Sequence, residues 1–410
     1  MSTNDAQWLI SEAAGRWLEL AAAESGLTLK LAARLRKGLT AERARLVLEQ
    51  TVLRRRAIEK FALAERMFFT PIGLEQASDQ GIAAYKARRF AAQIAADAEL
   101  ADLCCGIGGD LLALAARGPV VGVDRDPVVA LFAEVNLEAC GVPADASIRG
   151  RVERADAGAF DVRPYAAWHL DPDRRPAGRR TTRVAAHDPP PEAIDRLLLA
   201  AGNASIKLAP AAVLPEDWSS RAELEWISRK RECRQLVAWF GELATHPSQR
   251  RATVLASDGE LRRTLCGEPN RPIPLAPHIG RYVFEPDAAV LAAKLEGILA
   301  AEQGLSAIAP RIAYLTGDSP LDDAALAGFE VLEILPLRTK MLKTWLAERG
   351  FGRLEVKKRG VDIDPERLRR EMHVAGDNAA TLLITRAAGR VIVIAARRMS
   401  VPSLALRASE

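Results

Sequence analysis

The tightest constraint on this 410-residue chain is one short stretch, Asp102-Leu-Cys-Cys-Gly106-Ile-Gly108-Gly109-Asp110, set between the strand-like run ELADLCC and the helical pattern LLALAARG. Glycines at 106 and 108 let the backbone approach a ligand closely, and the following helix start offers free N–H groups at the positive end of its dipole. Strand, glycine loop and helix in that order belong to a parallel sheet with helices on its faces. Asp124 ends the next strand-like run, 22 positions after Asp102, where a carboxylate can accept both hydroxyls of a ribose. Together these predict an adenosine-type ligand.

PVVGVDR, AAWHLDP and ASIKLAP continue the alternation of short apolar runs with helical patterns, and strand-like segments around 222 to 256 finish the sheet. The expectation is a doubly wound α/β domain over 71–262. Residues 1–70 read as a helical domain; after Thr40, a candidate N-cap, Leu46, Leu53, Ala57, Phe61, Ala64 and Phe68 fall on one helical face. Residues near 258 to 277, with Gly and Pro scattered through CGEPNRPIPLAP, read as a linker. Residues 275–405 read as an α+β domain, with strands at GRYVF, RIAYLT, FEVLEILPL, RLEVKK, ATLLITR and RVIVIA.

With 49% apolar and 27% charged residues, the composition is that of an ordinary soluble globular protein. No stretch is apolar and long enough to span a membrane, and the N-terminal MSTNDAQWLISEAAGRW lacks the pattern of a secretion signal. The 5 cysteines form neither a disulfide framework nor a CxxC pair, which predicts a reducing, cytoplasmic setting. His187, His246, His278 and His373 show no metal-ligand spacing with them, so no metal is expected. Trp168 and His169, inside an apolar strand, read as core residues, and Cys104 and Cys105 as small residues packed around the ligand.

Basic residues cluster, with ten against three acidic in 29–60, five arginines in 174–183, and eight against two in 338–359. Arginine forks onto phosphate, so Arg174, Arg175, Arg179, Arg180, Lys207, Lys357, Lys358 and Arg359 are candidate contacts to a phosphate backbone. Solvated helix faces and ion pairs are the alternative.

A dinucleotide fingerprint beginning at Gly106 would want a small residue at 111, where the sequence has Leu111. D-x-x-C-G-x-G-G instead resembles motif I of class I S-adenosylmethionine-dependent methyltransferases, with Cys104 where the first glycine often lies. FFTPIGLEQAS, YKARRFA, VDRDP, DPDRRP, IKLAP, YVFEPDAAV, IAYLTGD, VLEILPL and RLEVKKRGVDIDPERLR extend the likeness. From about residue 65 the chain is similar to a bacterial group of these enzymes bearing a C-terminal THUMP-like domain. The resemblance implies a class I methyltransferase (Rossmann-like) doubly wound sheet, preceded by the helical domain and followed by the α+β THUMP-like domain.

It also implies S-adenosylmethionine as donor, held by Asp102, Cys104, Gly106, Gly108, Asp124, Arg125 and Asp156. Asp171 and Pro172 occupy the place of motif IV, where a carboxylate and a backbone carbonyl accepting the N–H bonds of an exocyclic amine would free its lone pair. Asp173 and Arg174 stand where similar amino-directed enzymes carry proline and an aromatic residue. The D-P-x-R form also resembles uracil-C5 methyltransferases, but the nucleophilic cysteine those need is missing between Cys140 and Cys233. Likeness to trimethylguanosine synthases makes Gln76 and Arg89 candidates for covering the donor. Because THUMP domains accompany tRNA-modifying enzymes, the resemblance implies a methyltransferase acting on a base nitrogen of tRNA or rRNA. A small-molecule methyltransferase and an RNA-binding protein that binds the donor without transfer are the other readings.

Overall fold

The computed structural model describes residues 1–399 apart from 25, 27, 28, 142–149, 174–181, 373 and 374. The chain divides into two compact units, the first holding Met1–Arg229, Arg234–Ser248 and Leu255–Leu261, the second Lys230–Cys233, Gln249–Val254 and the chain from Arg262 onward.

The first unit opens with α1 (Thr3–Ile10), α2 (Glu12–Ala22), α3 (Leu29–Arg36) and α4 (Ala41–Ala57). Ser2 and Asp5 form a reciprocal capping box on α1, and the Thr40 hydroxyl accepts from the Arg43 N–H (3.3 Å) to start α4. α4 stops at Ala57, so Phe61, Ala64 and Phe68, expected on its continuation, reach the core from the turns that follow. The arginines of the last turn help the chain fold back. Arg54 Nε donates to the Met67 carbonyl (2.9 Å) and lies over the Phe68 ring, while Arg55 donates to the Glu24 carbonyl.

After α5 (Pro71–Gln76) and α6 (Gln80–Gln93) come β1 (Leu100–Leu103), α7 (Leu111–Arg117), β2 (Val120–Asp124), α8 (Pro127–Ala139), β3 (Arg151–Arg154) and β4 (Ala167–Leu170). Then follow α9 (Pro191–Ala200), β5 (Ala204–Leu208), α10 (Glu216–Arg221), β6 (Glu223–Arg229) and β7 (Glu232–Phe240). Their strand order is β3-β2-β1-β4-β5-β7-β6; the first five strands run parallel and β7 is antiparallel to β5. The chain works outward from β1 to β3 and then returns to β4. That reversal opens a crevice at the carboxyl ends of β1 and β4, the place where open α/β sheets bind ligands. Trp168 on β4 is fully buried, its indole N–H donating to the Ala201 carbonyl (2.9 Å).

In the second unit, β8 (Arg250–Leu255) and β9 (Leu261–Gly267) lie side by side. β9 forms where a linker was expected: Gly and Pro dominate only beyond Cys266, while Leu265 is buried as a strand residue. β10 (Tyr282–Pro286), α11 (Ala288–Ala293), α12 (Glu296–Gln303), β11 (Ser306–Ala307), β12 (Leu315–Gly317), β13 (Leu326–Pro336), α13 (Thr339–Glu348), β14 (Phe351–Lys358), α14 (Pro365–Met372), β15 (Asn378–Ala387) and β16 (Arg390–Arg398) follow. They build a sheet ordered β11-β12-β10-β13-β16-β15-β14, in which only β14 and β15 pair in parallel among the described residues. Leu342, Trp345 and Leu346 of α13 and Leu368 and Met372 of α14 share one apolar cluster with Leu382, Ile384 and Val393.

One side chain ties the opening helices to the sheet. Asn136 of α8, fully buried, donates to the carbonyls of Phe68 (3.0 Å) and Ile107 (2.9 Å) and accepts from the Phe68 N–H (2.7 Å). Asn136→Ala leaves these three backbone groups without partners, so it should cost about 2–4 kcal/mol, read as a lower urea midpoint at unchanged m value. A loss below about 0.5 kcal/mol would show that the stitch is dispensable.

Candidate active site

The connection from β1 to α7 is forced into left-handed backbone at Cys104 (φ 55°), Gly106 (φ 57°) and Gly108 (φ 94°). Glycine adopts that region freely, whereas at Cys104 it costs about 1 kcal/mol or more. The loop is held from the next strand: Gly106 N–H donates to Asp124 Oδ2 (3.1 Å) and Cys105 N–H to the Val123 carbonyl (3.0 Å). Asp124 Oδ1 accepts from the Asp126 N–H (3.0 Å), and burial pushes its carboxyl above the ordinary range. At Gly109 a Cβ would lie 3.1 Å from the Ala77 Cβ and the Ser78 nitrogen, so the segment after α5 sits directly on the loop.

Around this loop opens a cleft of about 610 Å³. Its floor is the carboxyl ends of β1, β2 and β4; α5 and the segment after it form one wall, and Arg45, Leu46 and Glu49 of α4 reach its rim. Asp156 also faces it, capping a turn through the Gly158 N–H (2.8 Å). Arg125 pairs with Asp188 (2.5 Å).

β4 delivers Asp171, Pro172 and Asp173 to the same cleft. Asp171 N–H donates to the Leu103 carbonyl (3.1 Å), and Lys207 Nζ donates to Asp171 Oδ2 (2.6 Å) and to the Gln76 carbonyl (2.9 Å). The Gln76 side-chain amide donates in turn to Asp173 Oδ1 (3.1 Å). Gln76 thus joins the α5 wall to both acids. Among the described residues no aromatic side chain lines the cleft; Pro71, Ile72, Pro172 and Pro189 supply apolar surface.

Beneath the glycine loop lies a buried polar cluster. Lys86 Nζ sits 2.6 Å from Asp110 Oδ1 and 3.3 Å from His169 Nε2; the Ser78 hydroxyl donates to Asp110 Oδ2 (2.8 Å), and His169 Nδ1 lies 2.6 Å from the Ser205 hydroxyl. Burial opposes ionisation of Asp110, but Lys86 and then His169 hold it well below the usual carboxylate range. Burial and the Lys86 charge pull His169 down, which makes it neutral near pH 7. Asp102, 1% exposed, has no hydrogen-bond partner for either oxygen among the described residues. Burial, then the Asp110 charge, pushes its carboxyl well up.

The structure brings Asp102, Cys104, Gly106, Asp124, Arg125, Asp156, Asp171 and Pro172 to one cleft, with Gly108 in the loop that forms its floor. Lys207, expected to touch substrate, is 6% exposed with its charge directed to Asp171. Arg89, expected over the donor, instead pairs with Glu223 (3.0 Å) and Glu225 (2.8 Å) and lies over the Trp239 ring. In the second unit Lys357 and Arg359 both bind Glu285 (2.8 and 3.0 Å), and Lys358 is exposed. Arg174, Arg175, Arg179 and Arg180 lie outside the described residues. Sequence reasoning missed Lys86 and the pairing of Asp110. The signal was present, since Ile82, Lys86 and Phe90 form one stripe at helical spacing, and a lysine within an apolar stripe needs a buried partner.

The cleft combines Asp124, at the carboxyl end of β2, with a buried carboxyl at Asp102 that has no hydrogen-bond partner among the described residues. A family model described as THUMP domain-like matches residues 326–398. A crystal structure of a candidate methyltransferase from Porphyromonas gingivalis W83 superposes with a TM-score of 0.73 over 94% of this chain and 97% of that one, at 21% identity, and shows the same fold. An uncharacterized S-adenosylmethionine-dependent methyltransferase of Mycobacterium tuberculosis, matched alike in strains H37Rv and CDC 1551, is 34% identical over 84% of this chain and 93% of its own length. With a relative that close along nearly its whole length, this chain belongs to the S-adenosylmethionine-dependent methyltransferases, and S-adenosylmethionine is its donor.

Proposed function

We propose that the enzyme methylates RNA, at a base nitrogen of a tRNA or rRNA. The observation that carries this reading is the THUMP domain-like match over 326–398 on the chain that also holds the donor cleft, because such domains accompany tRNA-modifying enzymes. The donor supplies a methyl group activated on a sulfonium. In this reading Asp124 takes the ribose hydroxyls, Arg125 and Asp156 flank the adenine, and Asp102, Cys104, Gly106 and Gly108 enclose the amino-acid end.

Asp171 and the Pro172 carbonyl then accept the N–H bonds of the acceptor amine and turn its lone pair toward the methyl. Lys207 occupies Oδ2 of Asp171 and acts through it, fixing the carboxylate so that its other oxygen meets the acceptor. The exposed Lys358 and the arginines at 174, 175, 179 and 180 are proposed phosphate contacts, whereas Lys357 and Arg359, tied to Glu285, shape the edge that presents Lys358.

Labelled methyl from S-adenosylmethionine should enter total RNA from a strain lacking the gene and not RNA from its parent, with transfer falling steeply as salt rises. No label in either RNA, from protein that binds donor in calorimetry, overturns the RNA reading. Asp171→Ala should abolish transfer with donor affinity kept, while Asp124→Ala weakens donor binding about 10- to 100-fold.

Asp102 gives a pH test. In the folded, donor-free protein burial and then the Asp110 charge hold its carboxyl well above the ordinary range, whereas the unfolded chain ionises it near pH 4. The stability this proton lends is therefore complete below about pH 4 and is lost as pH rises through the folded value. Asp102→Asn, which cannot ionise, should gain thermal stability relative to its parent as pH goes from about 5 to 8, while losing donor affinity. A midpoint difference that does not move with pH would count against this assignment.

A further inference from the structure

Among the described residues eight aspartates line the donor cleft, and seven of them have a partner. Asp124, Asp126 and Asp156 accept backbone N–H groups; Asp171 is taken by Lys207, Asp173 by Gln76, Asp188 by Arg125 and Asp110 by Lys86. Asp102 alone has neither an ion pair nor a hydrogen bond among the described residues, although it is more deeply buried than most of them. A buried carboxylate without a partner is costly, and such a group in a native site calls for a ligand to complete it.

Lys86 decides which acid is left over. It is 2% exposed, reaches the cluster from α6, and closes on Asp110 at 2.6 Å, where Ser78 and His169 complete the shell. Its charge also acts on Asp102, the next carboxylate in the cluster. A lysine with no acid of its own in that position would be drawn to Asp102 and would occupy its carboxylate.

We propose that Lys86 is a positioning residue of the donor site: by committing itself to Asp110 it reserves Asp102 for the ammonium at the amino-acid end of S-adenosylmethionine. Lys86 and Asp110 touch no part of the donor in this account. They form a neutral buried pair, and the ammonium supplies the counter-charge that Asp102 lacks. This inference rests on the identity of the donor and is independent of what the acceptor is.

Two probes separate this role from ordinary packing. S-adenosylhomocysteine carries the ammonium, whereas methylthioadenosine keeps the nucleoside and lacks the amino-acid end, so the ratio of their calorimetric affinities reports the Asp102 contact. Asp110→Asn strands the Lys86 charge beside Asp102 and should weaken S-adenosylhomocysteine about 10-fold or more, with methylthioadenosine changed less than about 2-fold. Adding Lys86→Met removes the stranded charge and should return S-adenosylhomocysteine to within about 3-fold of the parent. Asp102→Asn should erase the preference for S-adenosylhomocysteine in every background.

Equal weakening of both probes by Asp110→Asn, or a double variant weaker than the single one, would overturn the proposal. So would an unchanged affinity ratio in Asp102→Asn. Should Asp110→Asn alone fail to fold, the double variant still decides: the proposal requires it to keep the parental ratio, and a ratio near one overturns it.

Discussion

The ion pair between Lys86 and Asp110 is the interaction on which the donor cleft depends. Three carboxylates, at 102, 110 and 171, converge beneath and beside one glycine loop, and the first two are almost wholly out of water. Such groups cannot all stay charged unless counter-charges are brought in. The fold brings two lysines, one from α6 ahead of the sheet and one from β5 within it, and gives each a single acid. The acid that remains, Asp102, has no ion-pair or hydrogen-bond partner among the described residues, and burial favours its neutral form.

The same economy explains why the opening helices are continuous with the sheet. Leu18, Leu31, Leu46 and Val47 share an apolar cluster with Val128 and Phe132 of α8, and Asn136 on that helix closes the polar gap where the chain passes from Phe68 to the glycine loop. α8 follows Asp126, whose side chain caps it through the Val128 and Val129 N–H groups. Packing on one side of α8 therefore fixes the start of the helix and, through it, the carboxylate at Asp124. The rim residues Arg45 and Glu49 are a by-product of this docking, held to each other at 3.2 Å.

Much of the fold was legible from local pattern. The strands around the glycine loop and the Thr40 cap lie where periodicity put them, since each is specified by a few adjacent residues. Position 104 was legible in a subtler way. A cysteine standing in for a motif glycine takes the left-handed backbone that glycine would take, because the Asp124 and Val123 contacts over-determine the loop. What was hidden are contacts across long sequence separations, such as Lys86 with His169 or Asn136 with Phe68, 83 and 68 residues apart. No window of sequence contains both partners.

Arginine was an ambiguous signal, and the reason is chemical. A guanidinium presents five donors in a plane, which suits phosphate but suits a row of backbone carbonyls equally well. Arg54 and Arg55 end on the carbonyls of Met67 and Glu24, Arg117 on those of Ile94, Ala95 and Ala98, and Arg89 on Leu243 as well as two glutamates. Each meets backbone carbonyls, most of them part-buried, and so braces the chain against itself. A run of arginines in sequence is therefore ambiguous between a binding face and internal bracing, and only burial separates the two. By that standard Lys358 is the exposed member of its stretch, whereas its neighbours at 357 and 359 are both closed on Glu285.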